Sequence, residues 1–437
     1  MFSIKTESKA VRVVVIILMA AMLSGCIFAS IYYNDKLLLG SFEKYDDDDV
    51  KYLRSAETFI KTGQLTYRYP DKPTVFIMPG ITLFLSPFVA LFGVQGAVMP
   101  VRFVFAALQM FNLYMVFLIA RKIFNSKTAL ITMVLSLFYL PNIYVSTVVL
   151  TEVPAYTAFL LMIYFLIWGT KTRQKQLIFV AGTMWALAVM FRATMTVMGI
   201  VALIYWIFKK IRIKTIIKFA VCVIIPFVII ISPWVIRNFA VFDSFIPFTL
   251  SSGNPKMQGT IIDYSSEERE RLFEVVYTND IDYGDSELSV NAAEHEIADR
   301  FFEYNIKHNT AEYLRWYTIG KTLRNFSLPY MWYPIYSGTY LPITIYHRAL
   351  IIVFVISVIF MIIQKQINAE TALLFITVLM FNCIHLPYYC FSRYMYMIMC
   401  FVIMISAYGL CICTSRFSIY CKKFVDKVLK CVYNIIN

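Results

Sequence analysis

The sequence predicts an all-α, polytopic membrane protein with about ten transmembrane helices and helical outer loops. Three observations carry that prediction. Of 437 residues, 59% are hydrophobic and only 15% are charged, whereas a soluble domain carries roughly a quarter charged residues. Apolar stretches of about 17–22 residues, the length a helix needs to cross a bilayer core, recur along the chain. Lysine and arginine gather in the short segments between alternate stretches, which is the pattern that fixes orientation in a membrane.

In chain order, Lys5, Lys9 and Arg12 precede the first span, 11–31, and mark its cytoplasmic end. Leu23-Ser24-Gly25-Cys26 resembles a lipoprotein cleavage box, but with so many later spans the segment is read as a retained helix. Residues 32–75 form a first outer loop. The apolar stretch 76–93 is entered through Pro79-Gly80; if it crossed, every later basic loop would change sides, so it is read as an interfacial or re-entrant pair. Spans follow at 98–120, 127–149, 153–168, 176–192, 194–208 and 216–236. After a long outer loop, 238–344, come 346–364, 370–386 and 394–413, with both termini inside. Within the long loop, 264–276 and 290–318 space apolar residues among charges, as amphipathic helices on the membrane face would. Three units result: a transmembrane module, 1–236, with its first outer region at 32–97; the extracytoplasmic loop, 237–345; and the C-terminal helices with a basic tail, 346–437.

Charge distribution excludes a nucleic-acid-binding face despite a net charge of +13. The cations sit at Arg121, Lys122 and Lys127, at Lys171, Arg173 and Lys175, at Lys209, Lys210, Arg212, Lys214 and Lys218, and in the tail at Arg416, Lys422, Lys423, Lys427 and Lys430. That is a topology signal, assisted by anionic lipid. All Asp and Glu residues except Glu7, Glu370 and Asp426 fall in the outer segments, which agrees with the same orientation. Nine cysteines show no CxxC pair and no His at ligand spacing, so they read as small apolar residues and not as a disulfide framework or metal site. His295, His308, His347 and His385 are scattered and receive no catalytic part.

Four consecutive aspartates, Asp46 to Asp49, follow the first span. A run of like charges is ordinarily a solvated patch, but mutual proximity also raises at least one carboxylate pKa and makes a better proton acceptor. The run opens a larger constellation: Asp48-Asp49-x-x-Tyr52-x-x-x-Ala56, then Gly63, Pro73, Pro79-Gly80 and Phe92-Gly93. A helix starting at the aspartates places their carboxylates at its positive end, with Tyr52 one turn on. Further patches follow: Glu152 at the mouth of the second outer loop, Phe191-Arg192, Ser232-Pro233-Trp234-x-x-Arg237-Asn238, Gly253-Asn254 and Ser392-Arg393-Tyr394.

In that order these patches resemble the membrane-embedded GT-C glycosyltransferases, and most closely the branch of protein O-mannosyltransferases and the aminoarabinose transferases that modify lipid A. The resemblance implies a polyprenyl-phosphate-linked sugar donor, transfer on the extracytoplasmic face and inversion at the anomeric carbon. It implies Asp48 as general base with Asp49 supporting it or binding acceptor, and Asp46 and Asp47 as bystanders that lift the local pKa. Glu152 and Tyr52 would position the donor or order the first loop; Glu152 alternatively caps the helix that follows it.

The leaving phosphate gains charge and needs fixed cations. Arg192, Arg237 and Arg393 all map to the outer boundary, with Lys72 as a further candidate; the competing reading of each is an anchor at a helix end. No metal is assigned. A divalent ion bridging Asp48 and Glu152 is the alternative that some relatives use, although the closest branch is metal-independent. The acceptor is a lipid, polysaccharide or protein hydroxyl; frequent Ile, Lys and Tyr hint at an AT-rich bacterial genome, and the expected location is the bacterial plasma membrane. A lipid-linked sugar flippase or an oligosaccharide polymerase or ligase are the rival functions. The former places charges or broken helices near mid-membrane; the latter does not need the Asp-Asp-x-x-Tyr pair.

Overall fold

The computed structural model describes residues 4, 5 and 7–413. The basic tail from Arg416 to Lys430 lies outside the described residues, as do Cys421 and Cys431. The described residues are helical and contain no strand.

The chain runs through α1 (Lys9–Tyr33), α2 (Asp48–Thr62), α3 (Gly80–Gly96), α4 (Val98–Ile123) and α5 (Ser126–Phe138). It continues with α6 (Glu152–Thr172), α7 (Lys175–Phe191), α8 (Met198–Phe208) and α9 (Ile213–Phe242). The outer loop contributes α10 (Ser266–Val275), α11 (Glu287–His308) and α12 (Lys321–Ser327). The chain closes with α13 (Leu341–Ile363), α14 (Ala369–His385) and α15 (Ser392–Cys413).

Among the described residues six helices are long and apolar enough to cross a membrane: α1, α4, α6, α9, α13 and α15. Helices α5, α7, α8 and α14 stand at the other expected spans but are shorter, so the count of about ten is not reproduced by length alone. The span expected at 127–149 is cut at Phe138. Pro141 has no N–H to give the Leu137 carbonyl, and Tyr139 leaves helical geometry with ψ at 87°, so the chain turns there.

Burial divides the helices. Helices α6 and α15 are enclosed on nearly every side, whereas α1, α9 and α13 turn Ile16, Ile17, Val228, Ile229, Ile352 and Ile356 outward. Apolar residues facing away from the core are the expected surface of a chain solvated by lipid.

The stretch 76–93 forms helix α3, which starts at Gly80 and breaks at Gly93, where φ is +71° and two helical pieces meet across a kink. Its inner face packs on α2, where Ser55 and Thr82 share a hydrogen bond of 3.1 Å. The start of α3 abuts the end of α7: a Cβ on Gly80 would lie 2.4 Å from the Met190 carbonyl oxygen and 3.1 Å from the Phe191 nitrogen. Both neighbours are backbone, so they cannot swing aside. Gly80→Ala is therefore expected to destabilise the protein by about 1–3 kcal/mol. Gly96→Ala, whose Cβ would meet only the Phe92 Cβ at 3.4 Å, should be close to neutral. Thermal unfolding of both variants in detergent measures the difference.

The loop helices also depart from expectation. The helix expected at 290–318 breaks at Asn309. The apolar faces of α10 and α11 meet each other, with Leu272, Ile297, Ala298 and Phe301 forming a second small core with Met257 and Ile261. Pairing two amphipathic helices removes their apolar faces from water without a membrane.

Candidate active site

Each member of the aspartate run has a different task. Asp47 is the N-cap of α2 and accepts from the Asp48 amide at 2.8 Å. Asp46 accepts from the Ser41 amide at 2.8 Å, and that bond holds its carboxyl below the usual range. Asp49 is completely buried and accepts from the backbone amides of Leu39 (2.8 Å), Gly40 (3.1 Å) and Val50 (2.8 Å). Burial pushes its pKa up against those three bonds. Asp49 thus folds the 38–40 segment onto the start of α2 and does not line the cavity described below. Its expected part beside Asp48, supporting it or binding acceptor, gives way to a positioning one, because its oxygens are already spent on backbone amides.

Asp48 faces the other way. Its Oδ1 accepts from the Tyr67 hydroxyl and its Oδ2 from Arg393 Nη1 at 2.6 Å. Burial alone would raise its pKa, but the Arg393 guanidinium, the Tyr67 hydroxyl and Lys51 outweigh it and hold the carboxyl below the usual value. The expected mutual lifting of pKa among the aspartates is therefore not what Asp48 experiences: an opposite charge in contact prevails over like charges turned elsewhere. Tyr52 and Tyr67 pack with ring centres 5.6 Å apart, Phe76 stacks on Tyr67, and burial raises both phenol pKa values.

Arg393, at the start of α15, is the junction. Besides Asp48 it donates through Nε and Nη2 to the two oxygens of Glu152. Glu152, fully buried at the start of α6, also accepts from Arg192 Nη1 at 2.7 Å. The helix-cap alternative for Glu152 is not realised: α6 has no side-chain cap, and the carboxylate is spent on the two arginines. The result is an alternating chain, Asp48–Arg393–Glu152–Arg192, drawn from four separate elements. Arg192 follows the end of α7, where the backbone becomes extended. Among the described residues its Nε and Nη2 have no hydrogen-bond partner, so part of its donor fork is unspent.

This chain borders a cavity of about 830 Å³. Asp48, Tyr52, Tyr67, Arg192 and Arg393 line one part, Phe191, Val197, Ile200 and Ile384 an apolar part, and Ser251, Ser252 and Tyr388 a wall from the loops. Ile200 is half exposed on the bundle surface, which gives the cavity an apolar side toward the lipid-facing exterior. His385, which was assigned no catalytic part, also lines it; its Nδ1–H donates to the Phe381 carbonyl (2.7 Å) and its ring stacks on Tyr394. Nothing in its scattered sequence context signals that placement.

Arg237 and Lys72 are placed elsewhere. Arg237 donates to the Thr74 carbonyl at 2.7 Å and to the Asn238 side chain, and Lys72 to the Asp285 carbonyl at 3.2 Å. Neither lines the cavity. They belong to a seam that ties residues 72–75 to the large loop, completed by Glu287, which accepts from the Thr74 hydroxyl and the Val75 amide. The expectation that they bind phosphate at the cavity is set aside because neither borders it, although the buried Nη2 of Arg237 has no hydrogen-bond partner among the described residues.

A metal fits poorly. A divalent ion bridging Asp48 and Glu152 would have to displace the guanidinium already between them, and no group of three His, Cys, Asp or Glu side chains converges among the described residues.

Lys321 was not singled out by sequence. It is fully buried at the start of α12, just after a π-helical turn at Trp316–Gly320, and donates to the carbonyls of Leu386 (2.6 Å) and Tyr388 (3.2 Å). It thereby clamps the segment that supplies Tyr388 to the cavity. Burial lowers its pKa to about 7, against a smaller opposing effect of Cys390. Between that value and the ordinary lysine value the unfolded chain binds the extra proton, so this group makes stability rise with pH over that window. Lys321→Met is expected to flatten the rise in melting temperature that the wild type shows from pH 7 to 9, and thermal unfolding at a series of pH values tests it.

Comparison with solved structures shows the fold. The apo oligosaccharyltransferase of Archaeoglobus fulgidus matches with a TM-score of 0.57 at 11% identity, over 96% of this chain and 52% of that chain. The oligosaccharyltransferase AglB of the same organism, in complex with an inhibitory peptide and a dolichol-phosphate, gives 0.52 at 13% identity, over 92% and 51%. ArnT from Cupriavidus metallidurans bound to undecaprenyl phosphate gives 0.43 at 12% identity, over 90% and 77%. The chain spans about half the length of the Archaeoglobus proteins it matches. It has the fold of the GT-C membrane glycosyltransferases.

The family match is narrower. Residues 71–236 match the family described as dolichyl-phosphate-mannose-protein mannosyltransferase. That stretch carries Glu152 and Arg192, while Asp48 and Arg393 lie outside it. No curated protein matches the sequence. The matched stretch is less than half of the chain, and both comparisons lead to glycosyltransferases.

Proposed function

We propose that this protein transfers a sugar from a polyprenyl-phosphate donor to an acceptor hydroxyl, with inversion, on the extracytoplasmic face of a bacterial plasma membrane. The observation that carries the reading is the Asp48–Arg393–Glu152–Arg192 chain on the wall of a cavity that also has an apolar side. A donor of this class has the matching parts: an apolar tail, a phosphate and a sugar. The tail would follow Val197, Ile200 and Ile384, and the phosphate would meet the unspent donors of Arg192 and the fork of Arg393.

In the reaction the acceptor oxygen attacks the anomeric carbon from the side opposite the phosphate and gives its proton to Asp48. The bond between that carbon and the phosphate oxygen breaks, and its electron pair leaves with the polyprenyl phosphate. A carboxylate held below its usual pKa is a weak base, but the same contact supplies the remedy. A phosphate arriving at Arg393 competes for the guanidinium, loosens its hold on Asp48 and raises the basicity of the carboxylate. Glu152, which touches no part of the cavity, keeps both guanidinium groups oriented.

Synthetic polyprenyl-phosphate sugars carrying a label in the sugar, offered to the protein in sealed vesicles with a hydroxyl acceptor, test this reading. The expected result is labelled acceptor with inverted configuration. Label that crosses the bilayer while still attached to the lipid, with no new glycosidic bond, would make the protein a flippase instead.

A further inference from the structure

A second cavity of about 400 Å³ lies at the other end of α6, where α4 also ends. Helix α6 has 21 residues, so at 1.5 Å per residue the two cavities are about 30 Å apart along it, a bilayer's hydrocarbon thickness. Three cations line the second cavity, Arg121, Lys122 and Lys171, against a single carboxylate, Glu7. Glu7 is engaged by Arg121 at 3.2 Å and by the Ser126 hydroxyl at 2.9 Å. Lys122 and Lys171 have no ion pair among the described residues. Lys122 lies instead over the Trp168 ring, 4.3 Å from its centre.

The last turns of two helices tolerate cations because the macrodipole is negative there, which accounts for basic residues at this depth. It does not account for a cavity between them. Tyr164, Trp168 and Lys171 share one face of α6, because spacings of four and three residues return to the same side. Amphipathic aromatics at this level mark the boundary between acyl chains and headgroups. The cavity therefore offers surplus positive charge at headgroup depth with an aromatic wall on its apolar side.

We propose that this cavity binds the phosphate of an anionic membrane phospholipid, seated between Lys122 and Lys171 with its acyl chains against Trp168. Basic pockets between transmembrane helices on the cytoplasmic side take such headgroups, and the basic loops put this end on that side. The site is separate from the donor cavity and independent of the transfer reaction.

Trp168 reports on it. In nanodiscs containing phosphatidylcholine and phosphatidylglycerol, bromine on the acyl chains of one lipid or the other quenches tryptophan within contact range. The Trp168 contribution is the difference between the wild type and Trp168→Phe. Brominated phosphatidylglycerol should quench it as if enriched at least about fivefold over its bulk fraction, the factor that one lysine near the surface contributes. Lys122→Gln with Lys171→Gln should abolish the enrichment, whereas Lys122→Arg with Lys171→Arg, which keeps the charge, should retain it. Equal quenching by both brominated lipids in the wild type would overturn the proposal. So would loss of the enrichment on adding 10 mM inorganic phosphate at constant ionic strength, because the site would then recognise free phosphate.

Discussion

Asp48→Asn should lower the rate of sugar transfer by about 10²–10⁴-fold, the range that one positioned general base contributes. The substitution is nearly isosteric and removes the charge that Arg393 Nη1 contacts, yet Arg393 keeps both bonds to Glu152, so the fold should survive. Donor affinity should change little or improve, because the guanidinium freed from Asp48 still faces the phosphate; the loss should fall on kcat. Because Arg393, Tyr67 and Lys51 hold the wild-type carboxyl below the usual value despite its burial, the acid limb of kcat/KM, which reports the free enzyme, should lie below the ordinary carboxylate range. The same depressed pKa stabilises the fold above the unfolded carboxylate value, and that contribution is lost as pH falls through the folded value. Asp49→Asn should behave differently. It disturbs a buried acceptor of three backbone amides, and an amide oxygen meets them less well, so it should lower stability before it lowers the intrinsic rate.

Glu152→Gln should be the most damaging single change to stability near the site. It removes a fully buried charge that two guanidinium groups share, leaving Arg192 and Arg393 close together with Asp48 alone to balance them. Breaking a buried pair from one side costs about 3–5 kcal/mol. Thermal unfolding in detergent should show the loss, and any surviving protein should show a raised KM as the two forks lose their orientation. A melting temperature within one degree of the wild type would contradict the alternating chain.

Much of the fold was legible because its determinants are local. Apolar length and loop charge located the six helices long and apolar enough to cross a membrane, and Pro79-Gly80 marked the start of α3. What they missed was geometry at breaks: Pro141 cut α5 short, and Asn309 divided the loop helix. The candidate site was legible in part. Its residue types were evident, since four aspartates stand in one run and the outer-boundary arginines oppose the general charge pattern. Partners were not, because Arg393 reaches Asp48 across 345 positions of sequence and Glu152 across 241. Spacing likewise could not separate Arg192, which lines the cavity, from Arg237, which stands in a loop seam away from it. Lys321 gave no signal at all, since a lone lysine in a polar loop is ordinarily solvated and only the folded chain shows it buried.

The most direct test of the account is single-turnover transfer from a synthetic polyprenyl-phosphate sugar in nanodiscs, with product configuration read by NMR, for the wild type and for Asp47→Asn, Asp48→Asn and Asp49→Asn. The account predicts inverted product from the wild type and from Asp47→Asn, and a rate for folded Asp48→Asn at least 10²-fold lower with donor still bound. Full transfer by folded Asp48→Asn, with Asp47→Asn or Asp49→Asn inactive while still folded, would contradict it.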